Sequence, residues 1–276
     1  MKCYHPTLVN VEGAKVPFYV PCGRCAWCRK KLRDEWVFRL KQEKKMWNYS
    51  RFVTLTYDDD HLITHIHIDK STGEMKEVPQ VCKEHIQIMN KQIRKHGIKI
   101  KYLVSSEYGP ENGRPHYHGI YFSDKPVNFV NEWNRGFVDD EPVSEARMKY
   151  VLKYMLKGCN VPEGSMDNFH LMSRRPGIGS NFVYKGEPYI LGENGVKLVP
   201  GHYYRRNYLN SLDEKLRESE KVKSLDFLQG VLEPNAQLYQ EYLEVSPVNM
   251  SFDDYKRYRY SIDLKNQLKI QKKSKL

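Results

Sequence analysis

Arg114-Pro115-His116-Tyr117-His118-Gly119-Ile120-Tyr121-Phe122 is the stretch on which the fold turns. Its aromatic and β-branched residues predict a strand. On a strand, residues i and i+2 share a face, so His116 and His118 project the same way. Upstream, Ile98 to Glu107 reads as another strand, and Gly109-Pro110-Glu111-Asn112-Gly113 has turn chemistry. The pair predicts an antiparallel hairpin that sets Glu107 beside both histidines. Spacing alone is a weak signal. With 10 His in 276 residues, chance supplies about a third of one His-x-His pair, and His65-Ile66-His67 is a second example. That second pair has no acidic strand beside it and reads as an exposed strand or loop. The carboxylate sets His116 and His118 apart, because two imidazoles and a carboxylate suit Mg2+, Mn2+ or another divalent ion. Its open positions accept a phosphate oxygen.

Outward from the hairpin, Arg51 to Tyr57 reads as a strand that Asp58-Asp59-Asp60 ends. Val81 to His96 carries Ile86, Met89 and Ile93 at helical spacing and meets Gly97, a C′ glycine. Val127 to Trp133 reads as a short helix and Gly136 to Val143 as a strand. Ser144 is the N-cap of a helix that runs to Lys157 and closes at Gly158. Nearer the start, Arg29 to Trp47 predicts a basic helix with Leu32, Trp36 and Leu40 at i, i+4 and i+8. Residues 50–157 thus predict an α+β structure, a central antiparallel sheet with helices packed on one face. Residues 160–210 are loop-rich, with a basic turn at Ser173-Arg174-Arg175-Pro176-Gly177 and a cluster at Tyr203-Tyr204-Arg205-Arg206. The remainder reads as helical and charged, ending in the basic run Lys265 to Lys275. Three parts follow: a Cys-containing leader and basic helix over 1–48, a core over 49–180, and a C-terminal extension over 181–276.

Composition narrows the partner. The chain has 45 Lys+Arg against 34 Asp+Glu, a net charge of +11, which points to a polyanion, most often nucleic acid. The expected phosphate contacts are Arg29, Lys30, Lys31, Arg114, Arg174, Arg175, Arg205 and Arg206, with the Lys265 to Lys275 tail a solvated end. Mean hydropathy is −0.71, and no apolar run approaches the ~18 residues of a membrane span. Met1-Lys2-Cys3-Tyr4-His5-Pro6 has no apolar signal stretch, so a cytoplasmic location is expected. In that reducing compartment the six cysteines are expected as thiols or metal ligands. Cys22-x-x-Cys25-x-x-Cys28, with Cys3 and His5 upstream, offers four thiolates, or three plus His5, to a tetrahedral structural Zn2+. The same spacing occurs in iron–sulfur proteins, but the Cys-Pro signature is missing, and free thiols are the other reading. Cys82 and Cys159 read as ordinary thiols.

Tyr150-Val151-Leu152-Lys153-Tyr154-Met155-Leu156-Lys157 puts two tyrosines at i and i+4 on one helix face, each followed at i+3 by a lysine. A phenol with its pKa near 10 needs a cation or metal beside it to act as a nucleophile at neutral pH. Three motifs in this order, Phe52-Val53-Thr54-Leu55-Thr56-Tyr57, then Glu107 with His116-Tyr117-His118, then Tyr150-x-x-Lys153-Tyr154-x-x-Lys157, resemble those of HUH endonucleases that start rolling-circle replication. More narrowly, the chain resembles the replication initiators of microviruses, the gokushovirus-type single-stranded DNA phages. Pro21-Cys22-Gly23-Arg24-Cys25-Ala26-Trp27-Cys28, Glu107-Tyr108-Gly109 and Ser173-Arg174-Arg175-Pro176-Gly177-Ile178-Gly179 extend the likeness over residues 20 to 180.

The resemblance implies an RRM-like HUH endonuclease core over 49–180. It also implies a divalent metal on Glu107, His116 and His118, with Tyr150 and Tyr154 as paired nucleophiles. Lys153 and Lys157 are expected to stabilise charge on phosphate or phenolate. The implied reaction nicks an origin strand, leaves a 5′-phosphotyrosine and a free 3′-hydroxyl, and later rejoins the ends. Implied partners are single-stranded and origin DNA, with host DNA polymerase and helicase. A transposase or plasmid relaxase of the same superfamily is the alternative. A zinc-stapled single-strand-binding module without catalysis, stacking Tyr and Arg on bases, is the reading from another class.

Overall fold

The structure is a computed structural model that describes residues 3, 5–10, 17–110, 112–157, 161–187, 189–191, 195, 197–245, 251, 254–258 and 261. Of these, 156, 157, 228, 231 and 245 are described by backbone alone. The elements in chain order are β1 (Thr7–Val9), β2 (Phe18–Val20), α1 (Ala26–Lys44), β3 (Tyr49–Tyr57), β4 (Thr64–Ile68), β5 (Met75–Pro79) and α2 (Lys83–Lys95). There follow β6 (Ile100–Tyr108), β7 (Pro115–Ser123), α3 (Phe129–Trp133), β8 (Gly136–Pro142), α4 (Glu145–Lys157) and β9 (His170–Met172). Last come β10 (Ile190–Leu191), β11 (Lys197–Leu198), α5 (His202–Ser211) and α6 (Glu214–Val245). Contacts divide the chain into two compact units, Leu32–Arg205 and Met1–Lys31 with Arg206–Leu276.

The larger unit is built on an antiparallel sheet of strand order β8-β3-β7-β6-β9. The predicted hairpin is its centre. β6 and β7 pair from Ile100↔Ser123 to Tyr108↔Pro115, with Glu107 opposite His116. The α+β class expected from the sequence is the observed one, but the helices lie on both faces of the sheet rather than one. Trp36, Val37 and Leu40 of α1 and Met148, Val151 and Leu152 of α4 pack with Phe52, Leu103, Ile120 and Phe122. On the opposite face Ile86, Met89 and Ile93 of α2 and Phe129 and Trp133 of α3 pack with Val53, Leu55, Tyr117 and Tyr121. The reason lies in β7, whose alternate residues are apolar or aromatic on both sides, so neither face can be left to water. Full burial of each of Ile86, Met89 and Ile93 contributes about 1.5–3 kcal/mol relative to exposure.

Local signals account for most of the boundaries. Gly97 has φ +73°, its N–H bonds to Arg94 O at 3.0 Å, and the Ile98 N–H reaches Ile93 O at 3.4 Å, closing α2 in a Schellman motif. Ser144 Oγ accepts the Arg147 N–H at 3.2 Å, the expected cap of α4. Other expectations need correcting. Of the apolar triad on α1, Trp36 and Leu40 are buried but Leu32 is 41 % exposed, so the core stripe starts a turn later than expected. The β4–β5 hairpin has no counterpart among the expected elements. It carries His65 and His67 at its surface, in line with the exposed reading of that His-x-His. The segment expected as loop over 160–210 supplies the edge strand β9 and the start of α5. The basic run Lys265 to Lys275 lies outside the described residues.

The smaller unit pairs β1 with β2 and adds α6, which keeps Pro234 inside it. Tyr19 and Gln229 exchange two hydrogen bonds at 2.8 and 2.9 Å, and Asn235 Nδ2 donates to Cys3 O at 3.0 Å. Residues more than 200 positions apart are thus joined by β2 and α6 within this unit.

β8 joins the sheet through Gly136, which has φ +135° and lies opposite Tyr57. A Cβ there would collide with Asp58 N and stand 2.5 Å from Thr56 O, both backbone atoms that no side-chain rotation moves. Gly136→Ala should therefore lower stability by about 2–3 kcal/mol in urea unfolding, whereas Gly73→Ala, at positive φ but in open space, should cost less.

Candidate functional site

Strand register positions the site. β7 lies between β3, with Thr56 opposite His116 and Thr54 opposite His118, and β6, with Glu107 opposite His116 and Ser105 opposite His118. Opposed residues in an antiparallel pair share a face, so these side chains stand together on the α1 and α4 side. Thr56 Oγ1 is 2.8 Å from His116 Nδ1, and Thr54 Oγ1 is 3.2 Å from His118 Nδ1. Each hydroxyl engages one ring nitrogen and orients Nε2 as the ligand-facing atom. His118 Nε2 is 3.0 Å from Glu107 Oε2. The backbone at Gly109 passes so near that a Cβ there would stand 2.9 Å from His116 Nε2, so the missing side chain keeps that nitrogen clear.

Two imidazole nitrogens and a carboxylate therefore fit a divalent cation by donor type and by the clearance at Gly109. This set is the looser of two. Among the described residues, the His/Cys/Asp/Glu group whose ligand atoms all lie within 4.8 Å of one another is Cys3, His5, Cys22 and Cys25. Burial, with the neighbouring His118 adding to it, holds the His116 pKa below the ordinary histidine value.

α4 delivers both tyrosines to this point. Its buried residues Met148, Val151 and Leu152 face the core, which sets Tyr150 and Tyr154 against His118. The Tyr150 ring meets His118 edge-on at 5.0 Å, Tyr154 stacks on it at 5.2 Å, and the two phenols are 5.0 Å apart. Phe52 stacks on the His118 ring at 6.1 Å and meets Tyr150 edge-on at the same distance. The two tyrosines differ in surroundings, Tyr150 being 40 % exposed and Tyr154 only 7 %. Burial pushes the Tyr154 hydroxyl well above the usual phenol range, and Tyr150 and Glu107 push it further. The Lys153 ammonium lies 5.2 Å from the Tyr154 ring centroid. The Lys157 side chain lies outside the described residues.

The basic residues are dispersed. Arg114 donates to Tyr57 O at 2.9 Å and pairs with Asp59, tying the β7 end of the hairpin to the end of β3. Arg174 and Arg175 are exposed in the turn after β9, Arg205 is half-buried, and Arg206 is exposed. Arg29, Lys30 and Lys31 are exposed on α1, with Lys31 over the Trp27 ring at 5.4 Å.

The smaller unit holds the cysteines. Cys3, Cys25 and Cys28 are buried with Leu232, while Cys22 is half-buried. Amide N–H groups of Cys22, Cys25 and Cys28 donate to the sulfurs of Cys3, Cys22 and Cys25 at 3.2, 3.4 and 3.4 Å. His5 Nδ1 is 3.7 Å from Cys22 Sγ. His5 thus stands in the gathered set and Cys28 is buried beside it. Burial pushes the Cys3 thiol up to about 11 and the Cys28 thiol higher still. This Cys/His group is able to hold a metal ion.

Sequence reasoning did not assign Thr54 or Thr56 a role, although their i, i+2 spacing mirrors that of the two histidines. It also missed His170, whose Nδ1 is 3.1 Å from Ser105 Oγ. β9 is three residues long and shows no alternation that would have flagged it.

With this geometry in view, comparison with known proteins is informative. Residues 50–159 match the family described as replication-associated protein ORF2. The chain is a relative of phage replication-associated proteins. It is 26 % identical over 249 residues to replication-associated protein VP4 of Bdellovibrio phage phiMH2K, covering 80 % of this chain and 76 % of that one. It is 27 % identical over 265 residues to replication-associated protein ORF2 of Spiroplasma virus 4, covering 81 % and 80 %. With replication-associated protein ORF4 of Chlamydia phage 1 it shares 26 % over 175 residues, 52 % of this chain and 40 % of that protein. No solved structure matches the chain. The matched segment runs from the start of β3 to the end of α4, and so contains Glu107, His116, His118, Tyr150 and Tyr154. Among the described residues no helix is long and apolar enough to cross a membrane.

Burial holds His85 and His170 below the ordinary histidine pKa. Each is neutral in the folded chain and takes up a proton more readily once unfolded, so acidification through pH ~6.5 should favour unfolding. The urea midpoint should fall between pH 7 and pH 5, and the fall should be smaller in His85→Gln/His170→Gln.

Proposed function

We propose that the chain is a replication initiator endonuclease that nicks one strand of viral replicative-form DNA at the origin and later rejoins the ends. The observation that carries this reading is the convergence of both α4 tyrosines on His118, beside the strand-borne Glu107 and His116. A buried histidine ringed by two phenols and a carboxylate is costly to assemble for stability alone.

In the reaction, a phenol oxygen of α4 attacks the scissile phosphorus in line. A Tyr O–P bond forms as the P–O3′ bond breaks, and the phenol proton ends on the departing 3′-hydroxyl. The 5′ end stays on the enzyme as a phosphotyrosine. After one circuit the second phenol cleaves the regenerated origin, and the freed 3′-hydroxyl attacks the first phosphotyrosine to close the circle. Each step exchanges one phosphoester bond for another, so no nucleotide triphosphate is consumed. Glu107, His116 and His118 would hold the divalent cation, Mg2+ or Mn2+, which when bound supplies Lewis-acid polarisation of the scissile phosphate. Thr54 and Thr56 fix the two imidazoles, and Lys153 lies where it lowers the cost of a phenolate on Tyr154. Basic side chains supply sequence-independent affinity for the strand by counterion release. Host polymerase would extend the 3′-hydroxyl as a helicase opens the duplex in the cytoplasm of the infected cell.

Incubation with a labelled single-stranded origin oligonucleotide and Mn2+ should give an SDS-resistant adduct that maps to Tyr150 or Tyr154 and disappears with chelator. Tyr150→Phe/Tyr154→Phe should give none; an adduct from that double variant would overturn the assignment. Thr54→Val/Thr56→Val should still fold but form adduct about tenfold or more slowly, because the imidazoles lose their orientation.

For the smaller unit we further propose a structural Zn2+ on Cys3, His5, Cys22 and Cys25, whose sulfur-rich tetrahedral donor set suits that ion. Elemental analysis should find about one zinc per chain and much less in Cys25→Ser; below about 0.3 per wild-type chain, the assignment fails.

A further inference from the structure

A second feature of the larger unit lies away from the tyrosines. Where β6 begins and β9 ends, a cavity of about 510 Å3 is lined by Trp47, Arg94, Lys101, Tyr102, Arg174 and Arg175, among others. Four of its lining side chains are cationic and none is acidic. Lys101 is neutralised by Glu43 at 3.0 Å, and Arg94 lies 5.6 Å from the Tyr102 ring centroid. Arg174 and Arg175 have no carboxylate partner among the described residues.

These two arginines sit on a turn held at both ends. Before it, Ser173 N–H donates to Tyr102 O and Tyr102 N–H to Ser173 Oγ, both at 3.1 Å or less. After it, Gly179 N–H donates to Glu43 Oε2 at 2.7 Å, and Arg39 Nε donates to Ile178 O at 3.0 Å. The pocket therefore offers a pre-positioned pair of guanidinium groups next to two aromatic rings. Charge of one sign selects an anion, paired arginines match a phosphate, and the flat rings match a base.

We propose that this cavity is a subsite for one nucleotide of single-stranded DNA, with its phosphate on Arg174 and Arg175 and its base against Trp47 and Tyr102. The proposal rests on the reading above that the substrate is DNA. Lys101 and Glu107 are on the same strand six residues apart, so the subsite lies ~20 Å along β6 from the tyrosines. A strand seated there is anchored several nucleotides from the scissile bond, which fixes the register of cleavage.

The test uses full-length protein, a fluorescein-labelled single-stranded thymidine 12-mer, and anisotropy in chelator so that no cleavage intervenes. Arg174→Ala/Arg175→Ala should bind about tenfold or more weakly, with a log affinity–log salt slope shallower by about 1.4, as for two lost phosphate contacts. Lys70→Ala/Lys76→Ala, which removes the same charge from the exposed β4–β5 hairpin, should change neither. Tyr102→Leu should weaken binding about tenfold with the slope unchanged, and Tyr102→Phe should restore it. If the arginine variant binds like wild type, or no worse than the lysine variant, the subsite is wrong. Adduct formation by wild-type protein is scored separately. Adduct formed while the arginine variant binds normally overturns the subsite alone. Arginine-dependent binding with no adduct overturns the nicking reading and leaves the subsite standing.

Discussion

Everything at the candidate site depends on the register of one strand. β7 is paired on both sides, and its pairing with β3 places two threonine hydroxyls against two imidazoles. Its pairing with β6 places Glu107 opposite His116 and within 3.0 Å of His118. A slip of one residue in either ladder would turn the histidines to the α2 side and leave the carboxylate without them. The register is held by apolar packing on both faces of β7, so the same burial that stabilises the sheet aligns the polar groups. Gly136 and Gly109 serve this alignment in different ways. The first lets β8 close on β3 without a backbone collision, and the second keeps a side chain away from His116.

Burial also sets the chemical character of these groups. His116 is neutral more readily than a free histidine, and Tyr154 is held in its protonated form by its enclosure and its neighbours. Neutral imidazole is the form that donates a lone pair to a cation. A phenol that resists ionisation becomes a nucleophile only when positive charge is brought beside it, so its reactivity is coupled to whatever occupies the site. Tyr150, 40 % exposed on the same helix face, is open to solvent where Tyr154 is not.

The hairpin, the carboxylate beside the histidines and the tyrosine helix were legible because each is local. Turn residues, alternation and i, i+4 spacing all act within about ten positions. The second helical layer was not legible, because Tyr117, Gly119 and Tyr121 do not say which helix will cover them until the chain is folded. Leu32 misled for the same reason, since its place in the periodic stripe carried no information on where the stripe meets a neighbour. Strands as short as β9, or as polar as β4 and β5, give too few positions for a period to emerge. The cysteine spacing pointed to a metal site, but the pairing of His5 with Cys22 and the burial of Cys3 against Leu232 join segments far apart in sequence.

A surface charge of +11 attracts any polyanion, but holding one nucleotide in a fixed place requires that the charges themselves be fixed. Glu43 shows how this is done at the basic turn. It is 2 % exposed and accepts hydrogen bonds from Lys101, the Trp47 indole at 2.7 Å and the Gly179 amide. Removing it would leave Lys101 facing a buried gap and release both Trp47 and the backbone after the turn. Arg39 adds a second tether, its guanidinium lying 3.9 Å from the ring centroids of both Trp36 and Tyr203. The ion pair and the stacked arginine act on the chain downstream of Arg174 and Arg175 rather than on any ligand. They reduce the ordering entropy that these two side chains would otherwise lose on meeting a phosphate, and a pre-ordered pair of arginines binds more tightly than the same charge on a free loop.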